Sequence, residues 1–326
     1  MWKYIVGAIT FGTVTYGVIR YFAGGTCFCT ARLDGLVIII TGANSGLGRA
    51  LSFELAQRGA TLVLACRNIN EGILLKQEIL ARYYNQQQQV YVKHLDLTSF
   101  DNIRNFAKSI SDEFDEIYAL VNNAGIFYYP QELTTDGFDV TFQTNYLGPF
   151  VLTHHLLILL KKAIHSRIIN ISSEAHRFVN TYDLKAITKC QSEFRSHFKA
   201  YGVSKLAILL FTHELSKRLS NTNVIVNAVN PGNVETNIFR NYPPLSTWWL
   251  YALQWPIRIV VVKTPRQGAQ TILHSLLTSN RSTGQYLSEC KSSLPSPNAL
   301  NEVLSKEYYN LTLEILDKKF ITESEC

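Results

Sequence analysis

Tyr201 and Lys205 stand four residues apart at the start of an apolar run that reads as a helix. On a helix they lie about 40° apart around the axis and about 6 Å along it, so they share one face. A tyrosine has a reference pKa of about 10 and is a poor base near neutrality. An ammonium beside it favours the phenolate and makes the phenol usable as an acid or base. Ser173 follows the apolar run Arg167 to Ile171, which reads as a strand. From a strand end its hydroxyl can donate to a carbonyl oxygen that is gaining negative charge. Each pattern arises by chance on its own. Their meaning depends on what positions them.

The positioning element is the stretch Val37-Ile38-Ile39-Ile40-Thr41-Gly42-Ala43-Asn44-Ser45-Gly46-Leu47-Gly48. Four apolar β-branched residues in a row predict a strand buried on both faces, as in a parallel sheet. The glycine turn follows at once, and then a helical pattern from Arg49 to Gln57 that stops at Gly59. Strand, glycine turn and helix form the first half of a dinucleotide-binding unit. Gly42 allows the tight turn, Gly46 the approach of a pyrophosphate, and Gly48 close packing of helix on strand. The helix N-terminus offers free N–H groups and a partial positive charge to phosphates.

The rest of the chain keeps the same rhythm. Apolar strands are expected at Thr61 to Ala65, Val90 to Leu95, Ile117 to Val121, Arg167 to Ile171 and Val224 to Val229. Helical patterns lie between them, near Asn70 to Tyr84, around Ile103, Phe106 and Ile110, and from about Phe138 to Ala163. Alternation of this kind predicts an α/β fold with a doubly wound parallel sheet. No interdomain linker appears after residue 34, so residues 34–320 read as one catalytic domain.

The chain has 326 residues, 47% hydrophobic and 17% charged, enough for one large domain with a full core. The net charge of +6 is scattered, with no basic run interleaved with aromatics, so a nucleic-acid partner is not expected. Six cysteines form no Cys-x-x-Cys pair and no framework, and read as reduced thiols. His154 and His155 are adjacent and point about 100° apart on a helix. No metal site is expected.

Residues 1–25 read as an N-terminal membrane anchor and 26–33 as a linker. Tyr4 to Phe22 is an apolar run of 19 residues with Arg20 as its only charge. As a helix it spans roughly 28 Å, close to a hydrocarbon core. A cleaved signal peptide is the second reading, since Ala23, Gly24 and Gly25 follow the run; an amphipathic or buried helix is the third. Arg20 and Arg32 on the C-terminal flank favour a cytosolic catalytic domain, with Lys3 opposing.

Taken together, the motifs resemble those of the short-chain dehydrogenase/reductase family over nearly all of residues 34–320. They are Thr41-Gly42-x-x-x-Gly46-x-Gly48, Asp96-Leu97, Asn122-Asn123-Ala124-Gly125, Asn145, Ser173, Tyr201-x-x-x-Lys205 and Pro231-Gly232. Ala65-Cys66-Arg67, the stretch 263–269 and the stretch 284–290 resemble the microsomal retinol dehydrogenase branch. The resemblance implies a Rossmann fold and four catalytic residues. Tyr201 is the proton donor or acceptor, Lys205 lowers its pKa and binds the nicotinamide ribose, Ser173 orients the carbonyl, and Asn145 holds a relay water. Ser173 is preferred over the adjacent Ser172 by the family motif. The implied cofactor-binding positions are Gly42, Asn44, Ser45, Gly46, Leu47, Gly48, Arg67, Asp96, Leu97, Asn123, Ala124, Gly125, Pro231, Gly232 and Thr236, with Tyr201 and Lys205. Asp96 is expected at the adenine, and Pro231, Gly232 and Thr236 at the nicotinamide.

NAD-preferring members place a carboxylate just after the second strand; this chain has Cys66-Arg67-Asn68 and no acid before Glu71. Arg67 suits a 2′-phosphate, so NADP(H) is the expected cofactor. A solvated Arg67 is the alternative. Pro243 to Val262 is rich in aromatics, including Trp248, Trp249, Tyr251 and Trp255. The resemblance places a substrate lid in this interval, and the composition suits a long apolar substrate or insertion at the membrane interface, with ordinary packing as the alternative. The expected function is NADP(H)-dependent interconversion of lipophilic alcohols and carbonyls, retinol/retinal-like, at the endoplasmic reticulum membrane. A reductase of steroid, polyprenoid or other lipid carbonyls and a silent membrane-attached scaffold are the alternatives. Expected partners are the lipophilic substrate and the membrane, with a homodimer allowed.

Overall fold

The computed structural model describes residues 2, 17, 22–83, 89–179, 196–236, 238, 242, 258 and 261–317. Ile38, Ile39 and Ile40 of β1 (Val37–Thr41) are fully buried, and alternate residues enter opposite layers. Ile38 and Ile40 pack with Leu51 and Leu55 of α1 (Gly46–Ala56), whereas Ile39 packs with the layer that holds Phe100, Phe150 and Leu206. A strand sandwiched between two helical layers must be apolar throughout, which is why the isoleucine run carries no polar interruption.

The remaining strands are β2 (Thr61–Cys66), β3 (Val90–His94), β4 (Ala119–Asn122), β5 (Arg167–Ile171), β6 (Ile225–Asn230), β7 (Tyr286–Ser288) and β8 (Lys291–Ser292). The sheet order is β3-β2-β1-β4-β5-β6-β7-β8, parallel as far as β7, with β8 antiparallel at the edge. β2 and β4 lie on either side of β1, so the winding direction reverses there. That reversal opens a crevice at the carboxyl ends of the strands. The helices are α1, α2 (Ile69–Arg82), α3 (Phe100–Ser111), α4 (Gly148–Lys162), α5 (His197–Arg218), α6 (Pro265–Leu277) and α7 (Glu302–Asp317). Helices α1, α2 and α6 cover one face, and α3, α4, α5 and α7 the other.

Three details depart from the sequence expectation. The helix expected over 138–163 is broken into a single turn at Val140–Phe142, a π-helical turn at Gln143–Leu147 and then α4. Pro149 at the start of α4 has no N–H to give to the carbonyl of Asn145, which loosens the ladder at that point. Strands β7 and β8 leave no mark in the sequence pattern, because three and two residues carry no readable period. The stretch 26–33 is no free linker: Cys27 and Leu33 are buried, and the Leu33 amide donates to the Arg58 carbonyl at 2.9 Å.

Among the described residues no helix is long and apolar enough to cross a membrane. The run Tyr4 to Phe22 lies outside the described residues apart from Gly17 and Phe22. Trp248, Trp249, Tyr251 and Trp255 lie outside them too.

Candidate active site

At the end of β1 the hydroxyl of Thr41 ties the glycine turn to β4. Thr41 Oγ1 accepts from the backbone amides of Asn123 at 3.0 Å and Ala124 at 2.9 Å, and donates to the Val121 carbonyl at 3.3 Å. Asn123 Nδ2 donates to the Thr41 carbonyl at 2.7 Å. Gly42 turns here with φ +63°. A Cβ on Gly48 would lie 2.4 Å from the Gly42 carbonyl oxygen and 2.7 Å from Asn123 Nδ2, so only glycine lets α1 approach. Gly46 backs onto Thr236, whose Cγ2 a Cβ would meet at 3.0 Å. Ser45, in extended conformation before α1, makes no side-chain cap, and the first turn of α1 holds no acid. The helix start is thus a positive end open to an anion.

In front of this cradle lies a cavity of about 690 Å³. Gly42, Asn44, Ser45, Gly46 and Leu47 line one side, Cys66, Arg67 and Asn68 the end of β2, Asp96 and Leu97 the end of β3, and Asn123, Ala124 and Gly125 the end of β4; Thr236 closes it. Gly48 packs beneath the turn. The Asp96 carboxylate accepts from the Thr98 amide at 2.9 Å and the Thr98 hydroxyl at 2.7 Å, which fixes the rim after β3. Arg67 is exposed on the rim. Glu71, the first acid after β2, lines the same cavity and accepts from Asn68 Nδ2 at 3.1 Å and from Asn44 Nδ2. Pro231 and Gly232 lie beyond this cavity after β6, where the Gly232 amide donates to Asn230 Oδ1 at 3.0 Å.

Tyr201 and Lys205 project from α5, with Lys205 Nζ 5.4 Å from the Tyr201 ring centre. Ser173 leaves β5 in extended conformation, and its side chain hydrogen-bonds that of Tyr201. The neighbouring Ser172 is buried and donates to the Lys205 carbonyl at 3.0 Å, so it faces the helix backbone. Asn145 sits in the π-helical turn. Its Oδ1 accepts from the Ile126 amide at 2.8 Å, and its Nδ2 donates to the Ile126 carbonyl and to Ser204 Oγ, each at 3.0 Å. A Cβ on Gly125 would stand 3.3 Å from Asn145 Oδ1 and 3.6 Å from Lys205 Nζ, so both groups converge on the Gly125 backbone.

Burial dominates the electrostatics of the pair. The protein around Tyr201 pushes its phenol up to about 12, opposed only by the bond with Ser173. Burial draws Lys205 down to about 8. Exclusion of water disfavours the charged form of both groups, which raises the phenol and lowers the ammonium.

A wall of aromatic rings flanks Tyr201, with no counterpart among the sequence motifs. Phe127 meets Tyr201 and Phe198 edge-on, each at 5.0 Å, and Tyr242 at 5.8 Å. Tyr128 lies 5.4 Å from Tyr242 and 4.3 Å from the ring of His197. Phe198 remains 53% exposed. Phe127 and Tyr128 follow the Asn122–Gly125 motif after Ile126, which is the one local signal; Phe198 and Tyr242 join them only through the fold.

The model of the short chain dehydrogenase family matches residues 36–183 and 189–244. The chain belongs to this family. Over 302 residues this dehydrogenase is 38% identical to human retinol dehydrogenase 11, with 91% of each chain covered. It is 40% identical over 301 residues to mouse retinol dehydrogenase 12, again with 91% of each covered. Among solved structures, an uncharacterised protein of Mycobacterium paratuberculosis superposes with a TM-score of 0.70 at 28% identity, covering 92% of the dehydrogenase and all (100%) of that chain.

Proposed function

We propose that this short-chain dehydrogenase interconverts a lipophilic alcohol and its carbonyl compound, of the retinol/retinal kind, using NADP(H). The observation that carries the reading is the meeting of Tyr201, Ser173, Lys205 and Asn145 beside an aromatic wall, next to a glycine cradle. Similarity to retinol dehydrogenases 11 and 12 supports the retinoid-like substrate class.

The cradle suits a dinucleotide. Its glycines let the turn, α1 and Thr236 close up where a Cβ would clash, and the α1 N-terminus is free of acid and of a side-chain cap. Asn44, Ser45, Gly46 and Leu47 would hold the pyrophosphate, and Arg67 a 2′-phosphate. When bound, the nicotinamide supplies or accepts the hydride at the carbonyl carbon. Ser173 donates a hydrogen bond to the substrate oxygen and holds it beside Tyr201. The Tyr201 hydroxyl gives its proton to that oxygen in reduction and removes it in oxidation. Lys205, drawn toward neutrality by burial, can exchange a proton near physiological pH and converges with Asn145 on the Gly125 backbone. Phe127, Tyr128, Phe198 and Tyr242 present rings to an apolar chain and keep water from the carbonyl. Residues 1–25 attach the enzyme to the endoplasmic reticulum membrane with the catalytic domain in the cytosol.

The test is NADPH oxidation by the purified full chain with retinal, medium-chain aldehydes and steroid ketones. Turnover of retinal above the others supports the reading. Turnover confined to steroids replaces the substrate class, and no turnover with any of them overturns the proposal.

A further inference from the structure

Side chains from opposite ends of the sequence meet on the outer side of α6. Cys27 and Cys29 precede β1, and His274 lies on α6. Their two sulfurs and an imidazole nitrogen all lie within 4.8 Å of one another. Cys27 is buried, while Cys29 and His274 keep partial access to solvent. The backbone is held in place independently of the thiols. The Cys27 amide donates to Gln270 Oε1 at 3.1 Å, and the Gly25 amide to Glu289 Oε2 at 2.7 Å. A third sulfur adjoins the group. Glu289 and Cys290 both adopt left-handed backbone, with φ +54° and +57°, in the turn between β7 and β8. That turn sets Cys290 Sγ 3.9 Å from Thr271 Oγ1, one turn of α6 before His274. Cys290 is near enough to Cys29 for their charges to interact. None of these residues serves the oxidoreduction chemistry.

We propose that Cys27, Cys29 and His274 bind one zinc ion, with Cys290 beside the fourth position. The expectation of no metal site rested on spacing along the chain, and here the ligands come from residues nearly 250 positions apart. Two thiolates and an imidazole form a soft nitrogen–sulfur set that suits tetrahedral zinc. Zinc–ligand bonds of about 2.0–2.3 Å place ligand atoms about 3.3–3.8 Å apart. Separations of no more than 4.8 Å need a contraction of at most about 1.5 Å to reach that geometry. Each thiol gives up its proton on binding, and no oxidation state changes. The ion fastens the stretch before β1 to α6. A Cys27–Cys29 disulfide is the competing use of the same sulfurs, but it leaves His274 without a part.

The experiment uses the full chain in detergent micelles, purified with reductant and without added metal. Cobalt(II) is titrated in as a spectroscopic substitute, and zinc(II) then displaces it. One equivalent of cobalt should give the intense visible bands and the thiolate charge-transfer band of a tetrahedral site. Cys27→Ser and Cys29→Ser should abolish them. His274→Ala should weaken binding by at least the ~10-fold that even outer-shell changes cause. Where a variant fails to fold, the wild-type protein still decides: zinc should protect Cys27 and Cys29 from alkylation, read by peptide mass mapping. Absence of the tetrahedral bands, bands that survive in a Cys27→Ser/Cys29→Ser double variant, or alkylation unaffected by zinc overturns the proposal.

Discussion

Lys205 donates from Nζ to the carbonyl oxygen of Ile171 at 2.8 Å, inside the protein. The bond ties α5 to the end of β5, but it leaves an ammonium with little compensation for lost water. Its pKa is therefore drawn from 10.5 down to about 8. A depressed lysine means that the unfolded chain binds more protons than the folded one between those two values, so stability rises with pH across that window. The cost is present in full below pH 8. Lys205→Met, without cofactor, should thus be more stable than wild type at pH 7 by about 1–3 kcal/mol, after the unpaired Ile171 carbonyl is counted. The gap should narrow from pH 8 to 10. Thermal midpoints measured across that range check it, and a gap independent of pH would refute the explanation.

Tyr201→Phe keeps the ring that packs on Phe127 and removes only the hydroxyl. Turnover should fall by at least ~10²-fold, the scale of general acid–base catalysis. Cofactor affinity and thermal stability should stay close to wild type. Steady-state kinetics together with cofactor titration by fluorescence distinguishes the roles; near-normal turnover would remove the phenol from the chemistry.

Arg67→Ala should discriminate between the cofactors. A charge-assisted contact with a 2′-phosphate of about 1.5–3 kcal/mol corresponds to roughly a 10- to 150-fold loss of NADP(H) affinity. NAD(H) affinity should change little. Glu71 lies in the same cavity, engaged by Asn44 and Asn68, so Glu71→Gln should raise NADP(H) affinity while leaving that of NAD(H) nearly unchanged. Competition titrations with both cofactors read both effects. Equal losses for the two cofactors in Arg67→Ala would move the 2′-phosphate contact elsewhere.

The proposed orientation at a membrane has built-in reporters. Asn280-Arg281-Ser282 and Asn310-Leu311-Thr312 are glycosylation acceptor triplets, and Asn280 and Asn310 are both exposed. A cytosolic domain should carry no glycan at either. Endoglycosidase treatment of protein from cells should leave its gel mobility unchanged. A shift that disappears in Asn280→Gln/Asn310→Gln would place the domain in the lumen.

The parts legible in the sequence were those written into short contiguous patterns. The isoleucine run predicts β1, and the glycine spacing predicts a cradle whose tightest contact, Gly48 on Gly42, is a backbone approach. Tyr201 and Lys205 are neighbours by helical geometry alone. Ser173 reaches them because β5 ends beside α5, which follows from strand order. The illegible parts depend on contacts distant in the chain or on balances of opposing effects. Phe198 and Tyr242 join Phe127 only after the sheet has wound. Glu71 enters the cofactor cavity because α2 begins there, although its distance from β2 suggested otherwise. The direction in which Tyr201 shifts depends on how much water the fold excludes, and no motif records that.

The hydrogen bond from Gly25 to Glu289 spans 264 positions. A ribosome adding about 5–20 residues per second needs roughly 13–50 s to make that much chain. The joint between the N-terminal segment and the sheet therefore cannot form until almost the whole polypeptide has been made. During that interval the turn after β7 that receives Gly25 does not yet exist.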